Sequence, residues 1–426
     1  MRRPGLLAAL LLAAAAPSAA GQEVAAEPGA LGRAVAAVAA EGAAPGAVLT
    51  LFPGTHDGPV TLDRPVTLDC LPGAVIDGGG QGSVITVTAP DVMVRGCAIT
   101  GSGRSHETID SGVRLLEGGD RAVIEGNRLT GNLYGIDIHG ARDARVAGNT
   151  IEGGQDRRVN ERGNGVYVWN APGALVEGND IRWGRDGIFV NISKHNIFRG
   201  NRFRDLRFAV HYMYTNDSEV SGNISIGNDL GYALMFSKNV RVIGNASLGD
   251  REHGIMLNYT NHSEITGNLV SGGKGKCTFL YNANKNKISG NRFERCEIGI
   301  HFTAGSEQNA ISGNAFLGNR TQVKYVGSRW LEWSADGRGN HWSDFAAYDV
   351  DGDGIADSAY RPNDAMDNIL WTQPAAKLLL GSPAVQLIRW AQSAFPALLP
   401  GGILDSHPVM QPVEITLPDW ETRHDG

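Results

Sequence analysis

The sequence is short of charge. Only 19 % of its 426 residues are Asp, Glu, Lys or Arg, and 45 acids against 38 bases give a formal net charge of −7. Such a chain has no excess of cations to set against a phosphate backbone, so no nucleic acid is expected as a partner. Aromatic residues are few (7 %), and there are only four cysteines, too few for a disulfide scaffold. None stands in a Cys-x-x-Cys spacing, which disfavours a thiolate metal site. Beyond the N-terminus no apolar run reaches the length of a bilayer span, so no membrane span of its own is expected.

Glycine, by contrast, is plentiful, with 57 residues. It has no three-residue period, which excludes collagen, and the 42 % hydrophobic content excludes a disordered chain. A chain that turns often is the reading left. At the N-terminus, Arg2 and Arg3 precede an apolar run over 6–16 and the small residues Ser18-Ala19-Ala20. That is the pattern of a secretory signal peptide cleaved near Ala20, so a periplasmic mature protein is expected. The cysteines fall into two local pairs, Cys70 with Cys97 and Cys277 with Cys296, each about one repeat apart. Local pairing is favoured among the three possible pairings, with free buried thiols the alternative.

The middle of the chain is an array. A Gly-Asn dipeptide recurs at Asn127, Asn149, Asn179, Asn201, Asn223, Asn245, Asn268, Asn291 and Asn314, mostly 22 or 23 residues apart. Repeats of this length bury their apolar faces only by stacking. About eight or nine residues after most of these Asn comes an alternating segment such as Gly187-Ile-Phe-Val, Gly231-Tyr-Ala-Leu or Gly254-Ile-Met-Leu. Period-two alternation marks strands, so each coil reads as strand, turn, strand, turn. The expected fold is all-β, a right-handed parallel β-helix whose Asn column forms a stacked amide ladder. The expected divisions are a signal peptide over 1–20, the β-helix over 21–335 and an acidic calcium-type loop over 336–371. An apolar helical hairpin over 372–400 and an extended tail over 401–426 follow. Residues 30–40 should form a capping helix, residues 153–162 should loop out, and Gly381 and Pro383 should split the hairpin.

Stacking predicts two outward columns on the alternating strands. One reads Asp137, Tyr167, Phe189, His211, Ala233, Met256, Phe279, His301, and the other His139, Trp169, Asn191, Met213, Met235, Asn258, Tyr281, Thr303. His211, Met213, Met235 and Met256 then surround the small Ala233. Thioethers and imidazole are soft ligands, and Cu(I) is the ion that prefers them. Phe189 and Phe279 flank the group, and with Tyr281 they are candidate partner-binding residues. Exposed Met and aromatic residues on a solenoid equally suit a protein- or glycan-binding groove. Asp137 and His139 stand in Tyr134-Gly-Ile-Asp-Ile-His, which resembles the Tyr-Gly-x-Asp-Pro-His motif of β-helical mannuronan epimerases, with Ile138 in place of Pro. The alternative reading is therefore a glycan-binding or polyuronate-modifying protein, with Tyr167, Trp169 and Phe189 as a sugar platform. Asp349, Asp351, Asp353 and Asp357 in Asp349-Val-Asp-Gly-Asp-Gly-Ile-Ala-Asp357 match the first part of a Ca²⁺ loop. Tyr360 stands where an EF-hand would place its Glu, so a structural clip is expected.

Gly339-Asn-His-Trp-Ser-Asp344, Asp351-Gly-Asp-Gly-Ile355, Ser382-Pro-Ala-Val385 and Asp405-Ser-His-Pro-Val-Met410 together resemble the C-terminal signature of the NosD family. The resemblance spans essentially the whole mature chain. It implies a non-enzymatic periplasmic accessory protein for maturation of nitrous oxide reductase, delivering copper toward its copper–sulfur site. It also implies an ABC transporter membrane subunit, a copper chaperone donor and the nitrous oxide reductase apoprotein as partners. His407 and Met410 form a candidate auxiliary copper site.

Overall fold

The computed structural model describes residues 21–39, 46–155, 158–327, 329–363, 367, 369, 373–379, 381–394 and 401–416. The signal-peptide segment lies outside them. The described chain winds into a right-handed parallel β-helix of about 14 turns with about 23 residues per coil. Each regular coil carries three strands rather than two. A long strand, such as Leu230–Met235, is followed by two three-residue strands, here Arg241–Ile243 and Ala246–Leu248. Stacking these makes a 12-stranded long sheet and two 13-stranded sheets, the second and third, all in parallel register. The short strands escape a period-two reading because three residues hold barely one alternation.

Corners in the left-handed backbone region join the strands. In one coil these are Tyr214, Asp217, Gly222 and Gly227, at φ 53°, 51°, 59° and 64°. Gly removes the Cβ clash of that conformation, which accounts for much of the glycine excess. Inside, apolar columns such as Val190, Tyr212, Leu234 and Leu257 fill the core.

The Asn ladder runs through the corner between second and third sheets. The Asn201 backbone N–H and Nδ2 both donate to Asn223 Oδ1, at 2.9 and 3.0 Å. The Nδ2 group also reaches Val176 O at 2.9 Å, and the pattern repeats from Asn127 to Asn314. Asn340 adds a further rung, taking the backbone N–H and Nδ2 of Asn314 at 3.0 and 2.9 Å. The last acceptor is Asp405, whose Oδ2 takes Asn340 N at 2.7 Å and Trp342 Nε1 at 2.8 Å. The signature around 339–344 and 405–410 is thus the closing clasp of the solenoid. His407 Nδ1 meets Ser334 Oγ at 3.1 Å, and Met410 N donates to Gly354 O at 3.0 Å.

At the N-terminal end α1 (Ala30–Ala39) packs Leu31, Ala34 and Val38 into the core. Residues 158–162 leave the coil as an excursion with a 3₁₀ turn at Val159–Glu161. The third sheet ends at His341–Trp342, past residue 335. Strand Gly402–Leu404 pairs with Trp330–Glu332. Between them lie a 3₁₀ segment, Pro374–Leu379, and α2 (Pro383–Ala394), separated around Gly381. Cys70–Cys97 and Cys277–Cys296 are disulfides, and no free thiol remains among the described residues.

Candidate metal centre

The register of the long sheet places the two outward columns side by side. Phe189, His211, Ala233, Met256 and Phe279 follow one another, as do Asn191, Met213, Met235, Asn258 and Tyr281. Neighbours within a column are about 4.8 Å apart. His211 and Met213 share one strand, Met235 sits on the next, and Met256 on the third. Ala233 is fully buried although it faces outward, so the larger side chains around it close over it.

His211 is fixed from behind. Its Nδ1 lies 3.0 Å from Asp186 Oδ2, and its ring packs against Phe189 at 4.8 Å and edge-on to Phe208 at 4.9 Å. Asp186 also takes Arg207 Nε and Nη2, at 2.8 and 2.6 Å. Burial opposes ionisation of Asp186, but the bonds from His211 and Arg207 outweigh it and hold the carboxyl below its usual range. An ionised carboxylate only accepts, so Nδ1 carries a proton, and in the neutral imidazole Nε2 then keeps its lone pair. That Nε2 atom is buried and has no hydrogen-bond partner. A buried acceptor without a donor costs free energy, and a metal ion would relieve it. The Oδ1 atoms of Asn191 and Asn258, which bracket Met213 and Met235, are likewise buried and unpartnered. The set is soft at its centre with neutral oxygens at its margins, and it carries no ionised group facing the ion.

Asp186, Arg207 and Phe208 were absent from the sequence-derived columns. For Asp186, Gly187 explains why. A Cβ there would sit 2.4 Å from Phe203 Cδ1 and 2.5 Å from Ala209 O, so two consecutive positions, Gly187 and Ile188, face the core. The alternation slips by one, and Asp186 faces outward where strict period two would turn it in. The signal was an Asp immediately before the strand glycine.

Past Phe279 the face turns cationic. Lys276 Nζ lies 4.0 Å over the Phe279 ring, His301 stacks on that ring at 4.8 Å, and Lys324 follows His301 in register. Burial, with Lys276 beside them, pushes His253 and His301 down to about 4. At the other end Asp137 is fully buried, with Arg114 Nε 3.1 Å from its Oδ2. Burial pushes it up to about 7 against the pull of Arg114. His139 Nδ1 is 3.9 Å from Asp137, and its ring stacks on Trp169 at 4.3 Å. This carboxylate exposes no surface to solvent.

Asp349, Asp351 and Asp353 bring carboxylate oxygens within 4.8 Å of one another, a set that fits a hard cation such as Ca²⁺. Asp357 lies outside that set and accepts Val350 N at 2.7 Å, while the other three also accept loop N–H groups. Of the partner-binding candidates, Tyr281 is exposed while Phe189 and Phe279 are built into ring stacks. A groove of about 1100 Å³ runs along the corner between second and third sheets. Its charges neutralise one another, as in Arg145 with Glu125 and Glu177, so it holds no reactive group.

Fold and site together define a parallel solenoid that gathers one imidazole and three thioethers on one flat sheet. Residues 148–347 match the family described as periplasmic copper-binding protein (NosD). A relative from Stutzerimonas stutzeri, named as a probable ABC transporter binding protein NosD, is 44 % identical over 372 residues, covering 84 % of this chain and 85 % of the relative. A Pseudomonas aeruginosa protein of the same name is 44 % identical over 375 residues, covering 85 % and 88 %. The chain belongs to the NosD family. Among solved structures, a PL6 alginate lyase in complex with a trisaccharide superposes with a TM-score of 0.54 at 15 % identity, over 76 % of this chain and 82 % of that one. The Streptococcus pneumoniae adhesin PfbA gives 0.54 at 11 %, over 70 % and 95 %. Both share the fold alone.

Proposed function

We propose that this chain is a non-enzymatic periplasmic carrier that takes up Cu(I) at His211, Met213, Met235 and Met256 and releases it for assembly of the copper–sulfur site of nitrous oxide reductase. The observation that carries the reading is the buried, unpartnered Nε2 of His211, oriented by Asp186 beside three thioethers. Thioethers hold Cu(I) without the grip of a thiolate pair, which suits an ion that must leave again. A copper chaperone as donor, the reductase apoprotein as acceptor and an ABC transporter are the partners this role calls for. The apolar side chains of Leu378, Leu379, Leu387 and Trp390, exposed along the 3₁₀ segment and α2, offer a surface for the transporter's membrane subunit. Asp349, Asp351 and Asp353 would hold a structural Ca²⁺.

Anaerobic Cu(I) titration tests the site. The wild-type chain should bind one ion tightly, and Met213→Leu, Met235→Leu and Met256→Leu together should abolish that binding. Unchanged affinity in the triple variant overturns the assignment.

A further inference from the structure

One row of corners places an apolar or aromatic residue in four consecutive coils, where elsewhere such residues stand singly, as at Ile109 and Trp183. From His139 to Tyr281, the residue that follows each member of the Met213–Met235 column sits in the left-handed region. In flanking coils that corner is Gly140, Asn170 or Asn282, residue types that tolerate it. In the four coils between Asn170 and Asn282 it is Ile192, Tyr214, Phe236 and Tyr259, at φ 51°, 53°, 51° and 50°. A β-branched or aromatic residue is ill suited to this conformation. These four side chains are also exposed, at 54 %, 53 %, 39 % and 44 %. Tyr214 and Phe236 stack at 5.1 Å, Phe236 and Tyr259 at 5.2 Å, and Tyr259 meets Tyr281 edge-on at 5.9 Å. Strain and apolar exposure therefore coincide along the coils that carry the soft donors. Strain of this kind gathers where a surface is used.

Chemistry narrows the occupant. Sugars stack on ring faces, but here successive rings cover one another's faces and turn their edges outward. Beside the row stand Lys194 and Lys238, two residues past Ile192 and Phe236, and Lys285 past Asn282. All three are exposed and none is in an ion pair among the described residues. Asp217, bonded to Asn239, and Glu307, paired with Arg329, stand in the same rows, so in a chain of net charge −7 the three lysines leave a cationic excess along the edge of the apolar strip. We infer that the row Ile192–Tyr214–Phe236–Tyr259 is the docking strip for the protein that exchanges Cu(I) with the adjoining site, a partner with an apolar centre and an acidic rim. The inference rests on the copper reading above, because it takes the partner's position from the ligands next door. Direct docking there would let the partner's own ligand approach Met213 and Met235 before the ion is free in water.

The test replaces Tyr214, Phe236 and Tyr259 by Asn, the residue that flanking coils use. Tyr214→Asn, Phe236→Asn and Tyr259→Asn together should raise the melting temperature by a few degrees, since they relieve backbone strain. They should leave Cu(I) affinity within about twofold and weaken association with the copper donor or the apo-reductase by about tenfold or more. Lys194→Glu with Lys238→Glu should slow that association and flatten its salt dependence. Association is measured without copper, so a chain that bound no Cu(I) would sink the proposed function and leave this readout intact. Wild-type association in the triple Asn variant with both proteins overturns the docking strip. So does loss, in that variant, of self-association or of binding to anionic phospholipid vesicles in place of the protein complex.

Discussion

At the scale of single residues, the copper reading depends on how one imidazole is held. Asp186 fixes the tautomer of His211 and raises the basicity of the nitrogen left over. Asp186→Asn keeps the shape but removes the charge, and should weaken Cu(I) binding by about tenfold to a hundredfold. Competition with a Cu(I) chelator measures it, and an unchanged constant would separate Asp186 from the site. A second prediction concerns His253 and His301, whose values near 4 lie below the ordinary 6.5. A base with a depressed folded pKa contributes stability above its unfolded pKa and loses it as pH falls toward the folded one. Stability should therefore decline between pH 6.5 and 4 as the unfolded chain takes up the protons first. His253→Gln with His301→Gln should flatten that decline in denaturant midpoints measured across the window. The two columns were readable from alternation, because equal coil lengths put equivalent residues in register. Asp186 was not, because Gly187 shifts the alternation by one and no periodicity records the slip.

At the scale of the element, each regular coil carries one rung of the Asn ladder and turns at left-handed corners. Asn223 Oδ1 receives two donors from Asn201, and its Nδ2 gives bonds to Phe198 O and Asn245 Oδ1. Asn223→Ala would leave these buried partners unsatisfied and should cost about 3 kcal/mol or more. Chemical denaturation would read that loss, and a loss under about 1 kcal/mol would show that water replaces the rung. The Asn ladder was legible because the side chain recurs beside Gly at fixed spacing. The aromatic corner row was not, since a sequence does not mark φ. Each of those corners carries about 1 kcal/mol of backbone strain, which only the regular neighbours on either side sustain.

At the scale of the whole molecule, the array is closed at one end by α1 and at the other by a clasp whose parts lie 65 residues apart, Asn340 and Asp405. The motifs of that clasp could be recognised as a signature, but their pairing could not be read, because nothing periodic links them. The acidic loop stands beside it, with Ala356 N donating to Pro408 O at 2.7 Å and Ile355 bridged to Val409. A cation bound by Asp349, Asp351 and Asp353 would stiffen the same closure. Chelation of Ca²⁺ should lower the melting temperature by several degrees, with re-addition restoring it. An unchanged melting temperature would leave the loop as a hydrogen-bonded turn without an ion.

The clasp has one more consequence. Every amide-to-amide bond of the ladder runs in the same direction along the solenoid, to the oxygen of the next coil, while the other Nδ2 hydrogen goes back to a carbonyl of the preceding one. Ten aligned side-chain dipoles, spread over about 43 Å at the strand spacing, give the β-helix an electrical polarity that a sheet ordinarily lacks. Its donor end is the C-terminal one, and the residue that receives it is a carboxylate, Asp405. The arrangement matches an anion placed at the N-terminus of an α-helix. The solenoid thus has a positive pole, and the chain places its own acidic acceptor there, a carboxyl that burial pushes up against the pull of its hydrogen-bond donors.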